Sequence, residues 1–216
     1  MTERILTWRS FATGVIVILG LTAAAFAAPQ ATYLTPLDPY PGDRHIRYAD
    51  QLSKRIQYPY HAFVQMRVQP AFEGEFSVSV HGTDDDVHFE DAKQVFVSHY
   101  VADRNIWASM PEDNDGKQQE IFVAVATVDF PKPLAKRVYD AWHRILLRTR
   151  YAEEFALRVD PTVIEFSCMP ARGFVYAQAY YPPECKDAAL LTDLGTALIE
   201  YCHVAAEKAR HCSEDH

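Results

Sequence analysis

The residues that could do chemistry are scattered. Nine His and four Cys stand in a chain of 216 residues. Their densest group is Cys202-His203 with His211-Cys212, all side-chain types that ligate zinc. On a helix the two pairs lie about 13–15 Å apart, while zinc bonds span about 2.0–2.3 Å, so they cannot share an ion. His81, Asp84, Asp86 and His88 would hold a cation only if one loop folded them together, and three consecutive Asp read as a solvated turn. Asp113-Asn114-Asp115-Gly116 has part of a calcium loop, but Pro111 and Phe122 stand where that loop needs Asp and Glu. No metal and no cofactor is expected.

Nucleophilic catalysis finds no better support. No G-x-S-x-G turn occurs. Cys168 sits in an apolar strand, where a thiol is inert. Cys202 adjoins His203, but neighbours on a helix point about 100° apart. With eight Gly in all, there is no Gly-rich phosphate loop. No residue is assigned a catalytic role. The suggestive surface is one face of a C-terminal hairpin, with Glu165, Tyr176, Gln178, Tyr180 and Tyr181. It combines aromatic area with hydrogen-bonding tips, a mixture found at binding interfaces.

The elements that must position these residues follow an unusual start. Arg4 and Arg9 lead an uncharged stretch from Ser10 to Gln30, apolar from Val15 to Leu21 and then rich in alanine. That order predicts a signal peptide over residues 1–27, cleaved after Ala27. The rival is an N-terminal membrane anchor, since the stretch is nearly long enough to span. Pro29, Pro36, Pro39 and Pro41 mark residues 28–42 as an extended linker, and residues 43–216 form one domain. Lys plus Arg total 21 and Asp plus Glu 29, a net charge of -8. An acidic chain of this kind excludes a nucleic-acid partner.

Asp43 caps a short helix with Ile46, Ala49, Leu52 and Ile56 on one face. Val64, Met66 and Val68 then alternate with Gln65, Arg67 and Gln69, and Phe76, Val78 and Val80 with Ser77, Ser79 and His81. Period two means one buried and one wet face. Residues 94–101 and 105–110 read as a hairpin turned at Asp103-Arg104. Residues 120–129, apolar on both parities, read as a central strand. Pro131 and Pro133 open a helix. It buries Leu134, Val138, Ala141, Trp142, Ile145 and Thr149 and carries a basic side of Lys132, Lys136, Arg137, Arg144, Arg148 and Arg150 that local acids can pair. A hairpin of about 162–168 and 173–180 places Phe166 and Ile164 opposite Val175 and Ala177. A final helix runs from about Asp187 to His211. The expectation is an α+β fold: a mainly antiparallel sheet of about six strands with helices packed on one face.

The final helix constrains the cysteines. Cys185, Cys202 and Cys212 lie along it about 15 Å or more apart, beyond the 4.4–6.8 Å that a disulfide allows between Cα atoms. Only Cys168 can reach one of them. A helix antiparallel to the preceding strand would bring Cys202 back beside it, so the spacing predicts a Cys168–Cys202 disulfide with Cys185 and Cys212 outside it.

The run from Lys132 to Arg150, with Ala135, Trp142, Leu146 and Thr149-Arg150, then the hairpin and the last helix, resembles small exported bacterial proteins of an uncharacterised family. Val159-Asp160-Pro161 stands where those proteins have a Leu-Asp-Gly turn. The resemblance implies no activity. The expectation is a periplasmic or secreted, non-enzymatic binding protein, of immunity or inhibitor type, whose partner is another envelope protein or a toxin. It would meet a membrane only if residues 1–28 stay attached. The rivals are a periplasmic hydrolase whose site assembles in space, for instance from Glu165, His143, His99 and Asp103, and a structural envelope component.

Overall fold

The alternating strands pair into one antiparallel sheet, seen in a computed structural model. It describes residues 43–56, 62–83, 86–110, 119–149, 161–170, 174–183 and 185–214. The expected signal peptide, the linker, the Asp113–Gly116 turn and the Cys212 side chain lie outside the described residues. The described elements belong to one unit, Ala31–His216. They are α1 (Asp43–Arg55), β1 (Ala62–Gln69), β2 (Phe76–His81), β3 (Phe96–Ala102), α2 (Ile106–Ser109), β4 (Val123–Asp129), α3 (Lys132–Leu146), β5 (Val163–Cys168), β6 (Val175–Tyr180) and α4 (Lys186–Glu214). The six strands lie in the order β4-β3-β2-β1-β5-β6, and the fold class is α+β.

The even-numbered residues of β1 and β5 bury against the two long helices. Val64, Met66 and Val68 stand opposite Cys168, Phe166 and Ile164. Trp142 of α3 packs edge-on against Phe166, their ring centres 5.9 Å apart, and both are fully buried. A β-bulge in β1 puts Phe63 between the pairs Ala62–His81 and Val64–Val80. The extra residue turns Phe63 into the same core, where it meets Phe89, itself stacked on Tyr139 of α3. Helix α4 crosses β1 at Gly195, where an added Cβ would lie 3.3 Å from the Met66 Cβ and closer still to its thioether. Lys136 of α3 pairs with Asp140 and Glu90, and Arg148, just past the helix end, with Asp187. Leu134, expected in the buried stripe, is exposed, and Ala135 and Leu146 are buried instead.

Four sequence expectations need correction. Residues 105–110 form not a return strand but the single turn α2, because Asn105 Oδ1 accepts from the Ala108 amide and caps it. Residues 120–129 are not central: β4 is an edge strand, with Val125 and Phe122 more than half exposed. The buried stripe of α1 is Tyr48, Leu52 and Ile56, while Ile46 faces solvent. The last hairpin is shifted by two residues, so Phe166 faces Ala177 and Cys168 faces Val175. Such a shift keeps every side chain on its expected face.

Helix α1 lies on the opposite face from α3 and α4, and the face of β1 and β2 expected to be wet is buried at Gln65, Ser77, Ser79 and His81. Tyr48, Leu52 and Ile56 meet Ala102, Ile106, Met110 and Ile121 in a second, smaller core. A fully buried carboxylate holds this corner. Glu75 accepts from Tyr48 Oη at 2.8 Å, from the Ile106 amide at 2.6 Å and from the Trp107 amide at 3.3 Å. Burial, and then the Glu75 charge, pushes the Tyr48 phenol far above its ordinary pKa. Ser77 Oγ donates to the Ile56 carbonyl, which ties the end of α1 to β2.

Candidate functional site: a polar cleft between α1 and the sheet

The strand registers make the second face of the sheet polar from edge to edge. Thr127, Ser98, Ser79, Gln65, Ser167 and Tyr176 stand side by side across all six strands. In the neighbouring row Tyr100, Ser77, Arg67, Glu165 and Gln178 do the same from β3 to β6. Ser53 of α1 overhangs these rows and closes a cleft of about 210 Å³, lined also by Gln65, Arg67, Glu165, Phe166, Ser167 and Tyr176.

The charges in the cleft cancel. Arg67 Nε donates to Glu165 Oε2 at 2.7 Å, and Nη2 donates to the same oxygen. Both side chains are about 15% exposed, 15% for Arg67 and 16% for Glu165. With both bonds ending on Oε2, Oε1 is left outside the pair. Gln65 is 6% exposed, and its Nε2 is buried with no hydrogen-bond partner; the Oγ of its cross-strand neighbour Ser79 is in the same condition. An unanswered buried polar atom costs about 1–3 kcal/mol, so two of them side by side need an explanation. At the rim Tyr176 is 45% exposed, and its ring stacks on Phe174 with centres 5.7 Å apart. Partial burial of the phenol raises the Tyr176 pKa.

Of the five residues expected on the binding face, Glu165 and Tyr176 line the cleft, and Gln178 stands directly opposite Glu165. Tyr180 is the last residue of β6, opposite Val163. Tyr181 projects from the bend beyond, 58% exposed, and does not line the cleft. Sequence reasoning missed Ser53, Gln65, Arg67 and Ser167. The signal for one of them was present: Arg67 is a charge inside a strand, where it is costly without an opposite charge such as Glu165.

The other constellations behave differently. His99 and Glu165 lie on opposite faces of the sheet, and His143 sits on α3 beside Tyr139, so the four residues weighed for hydrolysis do not assemble. His99 is 7% exposed under His203 of α4, and burial, with the His203 charge second, lowers its pKa to about 4. His81 and Asp86 also turn to other partners. His81 Nε2 meets Ser98 Oγ at 2.8 Å while Nδ1 meets the Gly82 carbonyl at 2.7 Å, and Asp86 accepts from the Thr83 amide and hydroxyl. Ser98 Oγ continues to Thr127 Oγ1 at 2.8 Å. Among the described residues no group of three His, Cys, Asp or Glu could hold a metal ion.

The expected Cys168–Cys202 bond is not formed. Both are free buried thiols, as is Cys185. Helix α4 crosses the sheet instead of running back along β6, so Cys202 Sγ lies over the Ala126 carbonyl of β4 at 3.2 Å. Cys168 is on β5, and the three strand spacings from β5 to β3 alone measure about 14 Å. Burial pushes the Cys168 thiol up to about 12. In comparisons with known proteins, no protein-family model, no curated protein and no solved structure matches this chain.

Proposed function

We propose that the chain is an exported, non-enzymatic binding protein of the bacterial envelope, and that it takes its ligand in the cleft between α1 and the polar sheet face. The observation that carries this reading is Gln65, which lines the cleft and whose Nε2 is a buried donor with no partner. A bound acceptor would answer it. Export rests on Arg4, Arg9 and the uncharged, alanine-ended stretch behind them. The cleft is smaller than the roughly 300–1,000 Å³ of drug-sized sites, which favours a small polar ligand over insertion of a protein loop. An immunity or inhibitor role would use the surrounding rim of Phe174, Tyr176 and Tyr181.

The test is retention from a soluble envelope extract. The chain is held against concentrated extract in equilibrium dialysis, and compounds enriched on the protein side are identified by mass spectrometry after denaturation. A compound retained by the native sequence and lost with Gln65→Leu and with Tyr176→Ala supports the reading. Retention that both variants leave intact, or none at all, refutes it.

A second reading is favoured by one distance. Ser98 Oγ and His81 Nε2 are at the 2.8 Å of a nucleophile and its base, with the other ring nitrogen held by a carbonyl. A hydrolase of that kind would be labelled at Ser98 by a fluorophosphonate probe. Ser98 is 1% exposed and its chain of hydroxyls closes on Thr127, as in a satisfied buried network, so absence of labelling is the expected result.

A further inference from the structure

We infer that the cleft accepts a neutral, polyhydroxylated ring, a single saccharide unit; this rests on the proposed binding function and names the class of its ligand. The lining excludes the other classes in turn. An anion would need a free cation, but the Arg67 guanidinium is already neutralised by Glu165. A metal cation would find a single carboxylate in the lining, and Arg67 already neutralises it. An apolar ligand would bury Ser53, Ser167, Gln65 and the ion pair without partners, at a cost for each. What fits is a molecule carrying several groups that both donate and accept. Once the Gln65 amide turns toward the cleft it lines, a sugar hydroxyl can accept from its Nε2 and donate to Glu165 Oε1, the oxygen outside the ion pair. Tyr176 supplies the remaining element: a half-exposed ring, backed by Phe174, whose face can cover the C–H side of a pyranose.

The test uses the full chain and saturation-transfer NMR with D-glucose, N-acetyl-D-glucosamine, their β-linked disaccharides and N-acetylglycinamide, each at about 10 mM, which detects millimolar dissociation constants. The expected result is transfer to at least one saccharide, with the Gln65 side-chain amide signals shifting in the same titration. Tyr176→Ala, at an exposed position, keeps the fold and weakens binding at least 10-fold; Gln65→Leu does the same without losing volume. Binding of monosaccharides marks a free sugar as the source, and binding of disaccharides alone marks a residue within a glycan; either supports the inference. No transfer to any saccharide, equal binding of N-acetylglycinamide, or binding that survives both variants overturns it. If the extract experiment still retains a compound in the cleft while every saccharide fails, the ligand class is wrong and the binding function stands.

Discussion

Replacing Glu75 by Gln tests how the cleft is held together. Helix α1 supplies the Ser53 wall, and its attachment runs through Tyr48 to Glu75. Glu75 Oε1 serves Tyr48 and Trp107, and Oε2 serves Ile106. A glutamine keeps the shape but has one acceptor oxygen. If that oxygen faces Tyr48 and Trp107, the amide NH2 opposes the Ile106 N–H; if it faces Ile106, the NH2 opposes the Trp107 N–H. Either way one buried backbone donor loses its acceptor and meets another donor. Such a loss costs about 1–3 kcal/mol, and weaker acceptance by a neutral oxygen adds to it, so Glu75→Gln should cost about 2–3 kcal/mol. Tyr48→Phe removes one donor and leaves a carboxylate with two, at a cost of about 1 kcal/mol. The two changes share a partner, so the double variant should cost less than their sum by about 0.5 kcal/mol or more. Urea unfolding gives the three stabilities. Hydrogen exchange should show the amides of α1 opening before those of the sheet in Glu75→Gln. A Glu75→Gln variant within about 0.5 kcal/mol of the native sequence, with α1 still protected, would refute the reasoning.

Three further outcomes follow from the same structure. Trp142→Ala should cost about 3–5 kcal/mol because the ring is fully buried against Phe166; Trp142→Phe should cost clearly less, since it also removes an indole N–H that has no partner. Lowering the pH from 7 to 4.5 should remove about 2.5 kcal/mol from the urea-derived stability. The buried His99 has a folded pKa near 4, below the unfolded value of about 6.5, so the unfolded chain binds the extra proton in that window and stability falls as pH drops through it. In His99→Gln that part of the pH dependence should vanish, and an unchanged slope would contradict the assignment. Cys168 in the native protein should resist alkylation at pH 8 and appear in no link to Cys202 on non-reducing peptide mapping.

The parts of the fold that were legible in the sequence are those with a local cause. Alternation in β1 and β2, the Pro-led start of α3 and the extent of α4 each depend on neighbours a few residues away. Residues 120–129 misled because an edge strand with α4 packed on one side also carries apolar residues at both parities; nothing local separates it from a central strand. The α1 stripe was misread because Tyr48, with a polar tip, is the residue buried there rather than Ile46. Long-range geometry was out of reach. Glu165 and Tyr176 could be read as the wet face of a hairpin, but their partner Arg67 is 98 positions away from Glu165, and only the β1–β5 pairing brings it in. The cysteine argument failed at the same point. The length of α4 was right, but its angle across the sheet is set by the packing of Gly195 on Met66, which spacing along the chain does not encode.

The central claim is that the unanswered Gln65 amide faces a ligand, and the most direct measurement of it is the pair of Gln65 side-chain NH2 signals in a 15N-labelled chain, followed as envelope extract and then N-acetyl-D-glucosamine are added. The account expects both signals to move together with the ring signals of Tyr176, and to stay still in Tyr176→Ala. Signals that remain fixed with the extract and with the sugar, while resonances elsewhere on the surface shift, would contradict it.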